Sequence, residues 1–255
     1  MILTIDIGNT NIVIGVYHKD DLKLTLRIRT DNTRTEDEYA ISFNSMLHIN
    51  GMRPEEIDGA IISSVVPDLS GVVAAAVNKL TGSDPLVVGP GMSTGLPIRI
   101  DDPKQLGSDL VVGAVGALAK YDPPLILIDM GTATTFSAVD RNGTFLGGAI
   151  APGLKVSLSA LSQNASQLFQ IDLSAPRRAI GTNTEDSLRS GLMLGCADMI
   201  DGMCRRFRKE VGEDAKVIAT GGLFKRIAPY CETEIIHEEN LLSDGLLALD
   251  KRNQK

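Results

Sequence analysis

The chain opens with the stretch MILTIDIGNTNIVIGVY, residues 1–17, in which two apolar, β-branched segments flank the turn Gly8–Asn11. This pattern predicts a β-hairpin, because a Gly/Asn turn reverses the chain between two strands. The N–H groups of the turn would form a concavity suited to a phosphate, and Asp6 beside it would hold Mg²⁺ directly or through water. Taken alone, the stretch favours an ordinary hairpin with a polar tip over a phosphate site, because short motifs of this kind are unspecific.

The same pattern returns in the stretch LILIDMGTATTFSAV, residues 125–139. Asp129 matches Asp6 at an offset of 123 residues, close to half of the 255-residue chain. Three turn residues match as well: Gly131 with Gly8, Thr132 with Asn9, and Thr134 with Asn11. Because this offset is far longer than a solenoid repeat, it predicts two similar lobes, 1–121 and 122–255, each supplying an acidic hairpin to one cleft.

Composition and charge narrow the class of protein. A hydrophobic content of 43% with 22% charged residues is ordinary for a globular chain that buries a sizeable core. The net charge is −7, and the densest basic group, Arg205–Lys209, is expected on a solvated helix face. Nucleic acid is therefore not an expected partner. The longest apolar stretch, Leu110–Ala119, is too short to cross a bilayer.

Cysteine usage and the N-terminus indicate the compartment. The three cysteines show no C-x-x-C spacing and the three histidines are scattered, so neither a disulfide framework nor a zinc site is expected. The chain enters a strand at once, without the basic segment that begins a signal peptide. We expect a cytoplasmic protein.

Periodicity in the first half predicts the order β-β-β-α-β-α-β. Alternating leucines give a third strand over Asp21–Arg29, and Thr35 with Glu38 forms a capping box that opens a helix. The remaining elements are expected as a strand Gly59–Val66, an Ala-rich helix Gly71–Leu80, a strand Leu86–Gly89 and a helix Leu110–Lys120.

The second half repeats the opening with strands over 125–130, 136–140 and 145–150. A long helix to Val211 is expected to start at a capping box of Thr182 and Glu185. A strand over 216–219 leads through Gly221 and Gly222 into a helix over 224–230. Such a junction suits a nucleotide lying against bare backbone and a helix N-terminus, although a tight strand-to-helix turn explains it equally well.

These features together resemble the superfamily of acetate kinase, sugar kinases, Hsp70 and actin. That resemblance implies an α/β fold of two duplicated ribonuclease-H-like lobes with a nucleotide cleft between them. Over essentially the whole chain, ten short motifs occur in the order and spacing of type III pantothenate kinases: DIGNTN (6–11), TEDEY (35–39), ISSVVP (62–67), VVGPG (87–91), GLPI (95–98), GSD (107–109), DMGTATT (129–135), GGAIAPG (147–153), GTNT (181–184) and ATGGL (219–223).

The resemblance implies ATP-dependent phosphorylation of pantothenate to 4'-phosphopantothenate, the first step of coenzyme A biosynthesis. It further implies ATP with Mg²⁺, a monovalent cation (K⁺ or NH₄⁺) and a homodimer. On the ATP side it implies phosphate contacts from Asp6, Ile7, Gly8, Asn9, Thr10, Asn11, Ile12 and Val13, with Asp6 assisting Mg²⁺, an ATP contact from Thr132, and Asp129 holding the monovalent cation. Gly221 and Gly222 complete the expected nucleotide contacts.

On the acceptor side the resemblance implies substrate contacts from Ile100, Gly107, Ser108, Asp109, Leu110 and Thr184, with Asp109 as general base. A carboxylate that accepts the hydroxyl proton is what in-line phosphoryl transfer requires. The residues alone favour a simpler role, in which Ser108 and Asp109 cap the following helix.

The acceptor side departs from the family pattern at two positions. Ile100 stands where the family usually has a Tyr, and Leu110 where it usually has an Arg. Both changes remove polar groups, and an Arg that forks onto an anion is not replaced conservatively. Two alternatives therefore stay open: a kinase of the same fold with a less polar acceptor, and a non-catalytic nucleotide-binding regulator.

Overall fold

Two five-stranded sheets with equivalent strand orders form the framework of the protein, whose computed structural model describes residues 1–254. The chain divides into two compact units. Unit 1 contains residues 1–96, 102–119 and 241–254, and unit 2 contains residues 97–101 and 120–240.

Unit 1 holds five strands and four α-helices. The strands are β1 (Ile2–Ile7), β2 (Asn11–His18), β3 (Asp21–Arg29), β4 (Gly59–Ser64) and β5 (Leu86–Val87). The helices are α1 (Glu36–Ile49), α2 (Pro67–Thr81), α3 (Ser108–Leu118) and α7 (Leu241–Asn253), with 3₁₀ turns at Pro54–Glu56 and Pro103–Gln105. The sheet order is β3-β2-β1-β4-β5, with β1 antiparallel to β2 and parallel to β4.

Unit 2 repeats this sheet. Its strands are β6 (Leu125–Met130), β7 (Ala133–Val139), β8 (Phe145–Pro152), β9 (Lys216–Thr220) and β10 (Ile236–His237). Its helices are α4 (Leu154–Asn164), α5 (Thr184–Val211) and α6 (Phe224–Ile227), followed by a 3₁₀ turn at Ala228–Tyr230. The order β10-β9-β6-β7-β8 makes β6 the counterpart of β1 and β9 the counterpart of β4. The duplication predicted from the two acidic stretches is therefore present in the backbone.

Strand alternation decides which side chains enter each core, because successive residues point to opposite faces of a sheet. Leu3, Ile5 and Ile7 join the core under α1 and α2. On the other face of the same sheet, Ile61 packs with Val112, Leu246 and Leu249 of α3 and α7. In unit 2, Ile126, Ile128 and Met130 join residues of α4 and α5. The acidic residues between these positions, Asp6 and Asp129, therefore lie on the faces turned away from α1/α2 and from α4/α5.

The C-terminal helix α7 does not belong to the unit that the continuous division 1–121 and 122–255 predicts. It packs on α3, β1 and β4 of unit 1, and Tyr17 Oη donates a 2.6 Å hydrogen bond to Asp244 Oδ1. Gly245 leaves no space for a Cβ, which would lie 2.1 Å from the Val112 carbonyl oxygen. Sequence order gave no sign of this exchange, because the periodicity of α7 does not reveal which sheet its apolar face covers.

Helix starts follow the capping rules with one correction. Thr35 caps α1 as predicted, since Glu38 N donates to Thr35 Oγ1 at 3.4 Å and Thr35 N donates to Glu38 Oε2 at 2.8 Å. The capping box expected of Thr182 and Glu185 is wrong. Asn183 caps α5, because its Oδ1 accepts a 2.8 Å bond from Asp186 N.

Candidate functional site

The hairpin at the start of unit 1 forms as predicted. Gly8 N donates to Asn11 O at 3.0 Å and closes the turn between β1 and β2. Thr30, which directly follows β3, holds the turn, since its Oγ1 donates to Gly8 O at 2.6 Å. Asn9 and Thr10 are exposed at the tip. The turn is thus braced from one side and open to solvent on the other, as an anion-binding turn requires.

Two serines at the end of β4, Ser63 and Ser64, lie beside the end of the parallel strand β1. Asp6 of β1 pairs in register with Ser63 of β4, and Ile7 pairs with Ser64. Ser108, the first residue of α3, reaches this edge: its Oγ lies 3.0 Å from Ser63 Oγ and donates to Ser64 O at 2.9 Å. The structure therefore brings the predicted ATP hairpin and the predicted acceptor segment Gly107–Leu110 to one end of one sheet.

Asp109 lies in the first turn of α3 rather than at its cap. The cap position is Gly107, and no side chain caps the helix there. Burial raises the pKa of the Asp109 carboxyl, and the bond that its Oδ1 accepts from Leu110 N at 2.9 Å only partly offsets this. A carboxylate with a raised pKa is a stronger proton acceptor than an exposed one, which is the property of a general base.

The second hairpin is one residue shorter than the first. Gly131 N donates to Ala133 O at 3.0 Å, and β7 begins at Ala133, whereas β2 begins at Asn11. Ala133 is therefore the counterpart of Asn11, and the proposed match of Thr134 with Asn11 is wrong. Thr134 lies within β7, fully buried, and its hydroxyl finds no hydrogen-bond partner within residues 1–254.

Asp129 has a hydroxyl residue in register on each neighbouring strand. Thr135 of β7 is its antiparallel partner and Thr220 of β9 is its parallel partner. All three lie on the sheet face away from α4 and α5, because neighbouring strands in register share a face. Oxygen donors grouped around a carboxylate suit a hard cation.

Glycines crowd the tip of this second hairpin. A Cβ on Gly153 would lie 2.3 Å from Thr132 O, and Gly153 N donates to that oxygen at 3.1 Å. A Cβ on Gly221 would lie 2.6 Å from Met130 backbone atoms, and its φ of +99° favours glycine. By contrast, Gly222 has open space where its Cβ would be. Asp129, Thr132, Gly221 and Gly222 thus lie at one end of the second sheet.

The two remaining predicted residues lie elsewhere in unit 2. Ile100 follows a short segment in which Ile98 pairs with Phe145 of β8, and its Cγ2 faces Gly147. Thr184 begins α5 and lines a cavity of about 720 Å³. Leu161, Leu168, Leu188 and Leu192 supply apolar walls, while Thr182, Asn183 and Ser187 supply polar groups. Arg178 Nη2 donates to Thr182 Oγ1 at 2.9 Å beside this cavity.

Sequence reasoning gave no role to three residues that the structure places at these sites: Ser63, Gly153 and Thr220. Each lies within one of the ten family motifs, but the positions of Ser63 and Thr220 depend on strand register. The pairing of Asp6 with Ser63 and of Asp129 with Thr220 joins residues 57 and 91 positions apart. The only signal for these pairings is that β4 and β9 are equivalent strands of the two sheets, each beside the strand that carries the acidic residue.

Residues 1–254 contain neither a cluster of metal-binding side chains nor a helix that could span a membrane. Within the described part of the chain, no three His, Cys, Asp or Glu side chains are grouped so as to hold a metal ion. Mg²⁺ in nucleotide sites needs only one or two carboxylates besides phosphate and water, so a single Asp6 fits that need. No helix among residues 1–254 has the length and apolar character to cross a membrane.

The chain is similar to known proteins over its full length. A family model described as type III pantothenate kinase matches residues 2–206. The type III pantothenate kinase of Geobacter sulfurreducens is 44% identical over 255 residues and that of an Exiguobacterium species 43% over 256, with 100% of each chain covered in both cases. Among solved structures, component A of (R)-2-hydroxyglutaryl-CoA dehydratase from Acidaminococcus fermentans aligns with a TM-score of 0.54 at 18% identity, covering 99% of this chain and 98% of that one. The archaeal actin homologue Ta0583 aligns with a TM-score of 0.51 at 12% identity, covering 100% and 99%.

At such identities the two solved structures show the fold alone, an actin-like pair of ribonuclease-H-like lobes. The family match and the curated relatives extend over nearly every motif that carries the hairpins, the GSD segment and the start of α5. The chain belongs to the type III pantothenate kinase family.

Proposed function

We propose that this protein is a cytoplasmic kinase that transfers the γ-phosphoryl group of ATP to the hydroxyl of pantothenate and forms 4'-phosphopantothenate for coenzyme A biosynthesis. The observation that carries this proposal is the full-length relationship to type III pantothenate kinases in a chain that keeps both acidic hairpins. A shared fold alone would not identify the substrate, because kinases, ATPases and actins use the same lobes.

The ATP side is assigned to the two hairpins. Backbone N–H groups of the Gly8–Asn11 turn would bind phosphate oxygens, and Asp6 would bind the accompanying Mg²⁺ directly or through water. In unit 2, Thr132 would contact the nucleotide and Gly222 offers uncovered backbone at the end of β9. Asp129, with Thr135 and Thr220 in register beside it, would hold K⁺ or NH₄⁺. These cations supply neutralisation of the charge on the transferring phosphoryl group.

Asp109 is assigned as general base. It would accept the proton of the acceptor hydroxyl as the oxygen attacks phosphorus, which leaves ADP as the departing group. Its partial burial supports this role, since burial raises the pKa of the carboxyl and so makes the carboxylate a better proton acceptor.

The acceptor side is assigned to the Gly107–Leu110 segment and Thr184. The cavity beside Thr184 combines leucine walls with hydroxyl and amide groups, which suits a branched aliphatic chain that carries polar ends. Ile100 and Leu110 are both apolar, where the family pattern described above has a Tyr and an Arg. That observation favours one second candidate, a kinase of the same fold with a less polar alcohol as acceptor.

We further propose a homodimer. Several large apolar side chains of unit 2 are exposed, with Ile150 at 77%, Phe169 at 50% and Ile180 at 80% exposure. Leu168 and Gly181, the neighbours of Phe169 and Ile180, line the cavity. Exposed apolar surface of this kind marks an interaction site, and a second copy of the chain is the partner that the family relationship favours.

A coupled assay of ADP release tests the function. Purified protein with ATP, Mg²⁺ and K⁺ should release ADP when pantothenate is added, and much less with alcohols that lack its branched hydroxyacyl group. Activity restricted to a less polar alcohol would support the second candidate. ADP release that depends on no acceptor would contradict both kinase assignments and leave the nucleotide-binding regulator.

A further inference from the structure

The Ser108 hydroxyl has no capacity left for a ligand. It donates to Ser64 O at 2.9 Å and accepts from Ser64 N at 3.2 Å. Its remaining lone pair faces Ser63 Oγ at 3.0 Å. A hydroxyl has one proton and two acceptor sites, so these three contacts satisfy it fully.

This count also fixes the direction of the bond between the two serines. The Ser108 proton goes to Ser64 O, so Ser63 must donate to Ser108. Ser63 is 0% exposed, so losing its partner would leave a buried hydroxyl without a hydrogen bond, which destabilises the folded state. The pair Ser63–Ser108 is therefore a closed, buried link between β4 and the first residue of α3.

The link attaches the start of α3 to β4. The cap residue Gly107 offers no side chain to the first turn of α3. A Cβ on Gly107 would lie 2.4 Å from Asp109 Oδ1, so a side chain there would displace the Asp109 carboxylate. Asp109 follows Ser108 directly, so the position of its carboxylate depends on how firmly Ser108 is tied to β4. On the other side, Ser63 stands in register with Asp6 of the phosphate hairpin.

We propose that Ser63 and Ser108 are positioning residues, which together fix Asp109 at the end of the sheet that carries Asp6. This inference rests on the proposed function of Asp109 as general base. It changes the expectation for Ser108, whose side chain serves the protein and not the substrate. Misplacement of a catalytic group by about 1 Å can cost about 100-fold in rate, so a small hydroxyl pair is sufficient to matter.

Steady-state kinetics of Ser63→Ala and Ser108→Ala test the proposal. Each variant should lower kcat about 10- to 100-fold while the KM for pantothenate changes less than about twofold, because the substrate contacts stay in place. The double variant should have about the same kcat as the less active of the two single variants, since the two hydroxyls act as one unit. Ser108→Thr keeps the hydroxyl and should retain most of kcat. Ser70→Ala, which removes a hydroxyl bonded to Val66 O on α2, is the matched control and should leave the kinetics unchanged.

Two results would overturn the proposal. A rise in KM for pantothenate at constant kcat in Ser108→Ala would make Ser108 a substrate contact, and unchanged kinetics in Ser63→Ala would make the link irrelevant. Hydrogen exchange of the first turn of α3 gives a readout that needs no activity: it should be faster in both Ala variants than in wild type and in Ser70→Ala. If wild type does not phosphorylate pantothenate but exchange responds as expected, the proposed function fails while the link stands. If hydrogen exchange of the first turn of α3 is unchanged in both Ala variants, the Ser63–Ser108 link does not hold the helix start and the proposal fails.

Discussion

Asp109 combines a cost in stability with the proposed role in catalysis. Asp109→Asn keeps the shape of the side chain but removes the proton acceptor, so kcat should fall about 10²- to 10⁴-fold. The KM for ATP should change little, because the phosphate hairpin is untouched. Initial rates at saturating ATP, with circular dichroism as a folding control, measure this. Activity that survives the substitution would refute the assignment of the base.

The same substitution should stabilise the folded protein at neutral pH. In the unfolded chain the carboxyl ionises near pH 4, whereas burial raises its pKa in the folded state. Between these two values the folded state binds more protons, so stability falls as pH rises through this window and stays lower above it. Asp109→Asn removes that cost. Its Tm should exceed that of wild type at pH 7 and match it below about pH 4; a lower Tm at pH 7 would contradict the burial argument.

Thr134 offers a second test of a buried polar atom. Its hydroxyl is enclosed in the core of unit 2 without a partner in the described chain. Thr134→Val replaces that hydroxyl by a methyl group of the same shape, so the free energy of unfolding should rise by about 1 kcal/mol. Urea unfolding of both proteins measures this. Destabilisation of similar size would mean that the hydroxyl has a partner, such as bound water.

At the scale of elements, the two glycines in the turn from β9 to α6 are expected to have different roles: Gly221 in stability and Gly222 in nucleotide binding. Gly221→Ala would force a Cβ against the Met130 backbone at a φ of +99°, and should destabilise the protein by roughly 1–3 kcal/mol. Gly222→Ala meets open space. It should leave Tm unchanged and raise the KM for ATP, because the new methyl group covers backbone assigned to the nucleotide. Equal effects of the two variants on Tm would show that the distinction is wrong.

Elements were predictable where the signal lies within a few residues. The hairpins, the alternating strand β3 and the capping box of α1 all depend on local patterns, and the structure confirms them. Prediction failed where neighbouring residues offered competing signals. Thr182, Asn183 and Thr184 can each cap a helix, and the sequence does not say which one does. The register of β4 and β9, which brings Ser63 and Thr220 beside the acidic residues, is a long-range property without a local signature.

At the scale of the whole molecule, the proposed homodimer can be tested by changing its exposed apolar surface. Exposed Phe169 and Ile180 belong to the apolar group of unit 2 that is assigned to the dimer. Phe169→Asp or Ile180→Asp should shift the protein from dimer to monomer in analytical ultracentrifugation. Ile49→Asp is the matched control, because Ile49 is 82% exposed on α1 of unit 1. A monomeric wild type, or an equal effect of the control, would contradict the assigned surface.

The duplication of the lobes was readable from the sequence because the two acidic stretches are 123 residues apart and alike. The attachment of α7 to unit 1 could not be predicted in this way, because α7 follows the residues of unit 2 in the chain. The acceptor side was also beyond local patterns, because Ile100 belongs to unit 2 and Leu110 to unit 1. The identity of the acceptor is therefore the central claim that experiment must address.

The most direct measurement is a transfer experiment with ATP labelled in its γ-phosphate. With wild type, Mg²⁺ and K⁺, the label should appear in a pantothenate product that is heavier by one phosphoryl group at its hydroxyl, and Asp109→Asn should slow its formation by at least about 100-fold. Label found only in inorganic phosphate, or in another alcohol while pantothenate stays unmodified, would contradict the account.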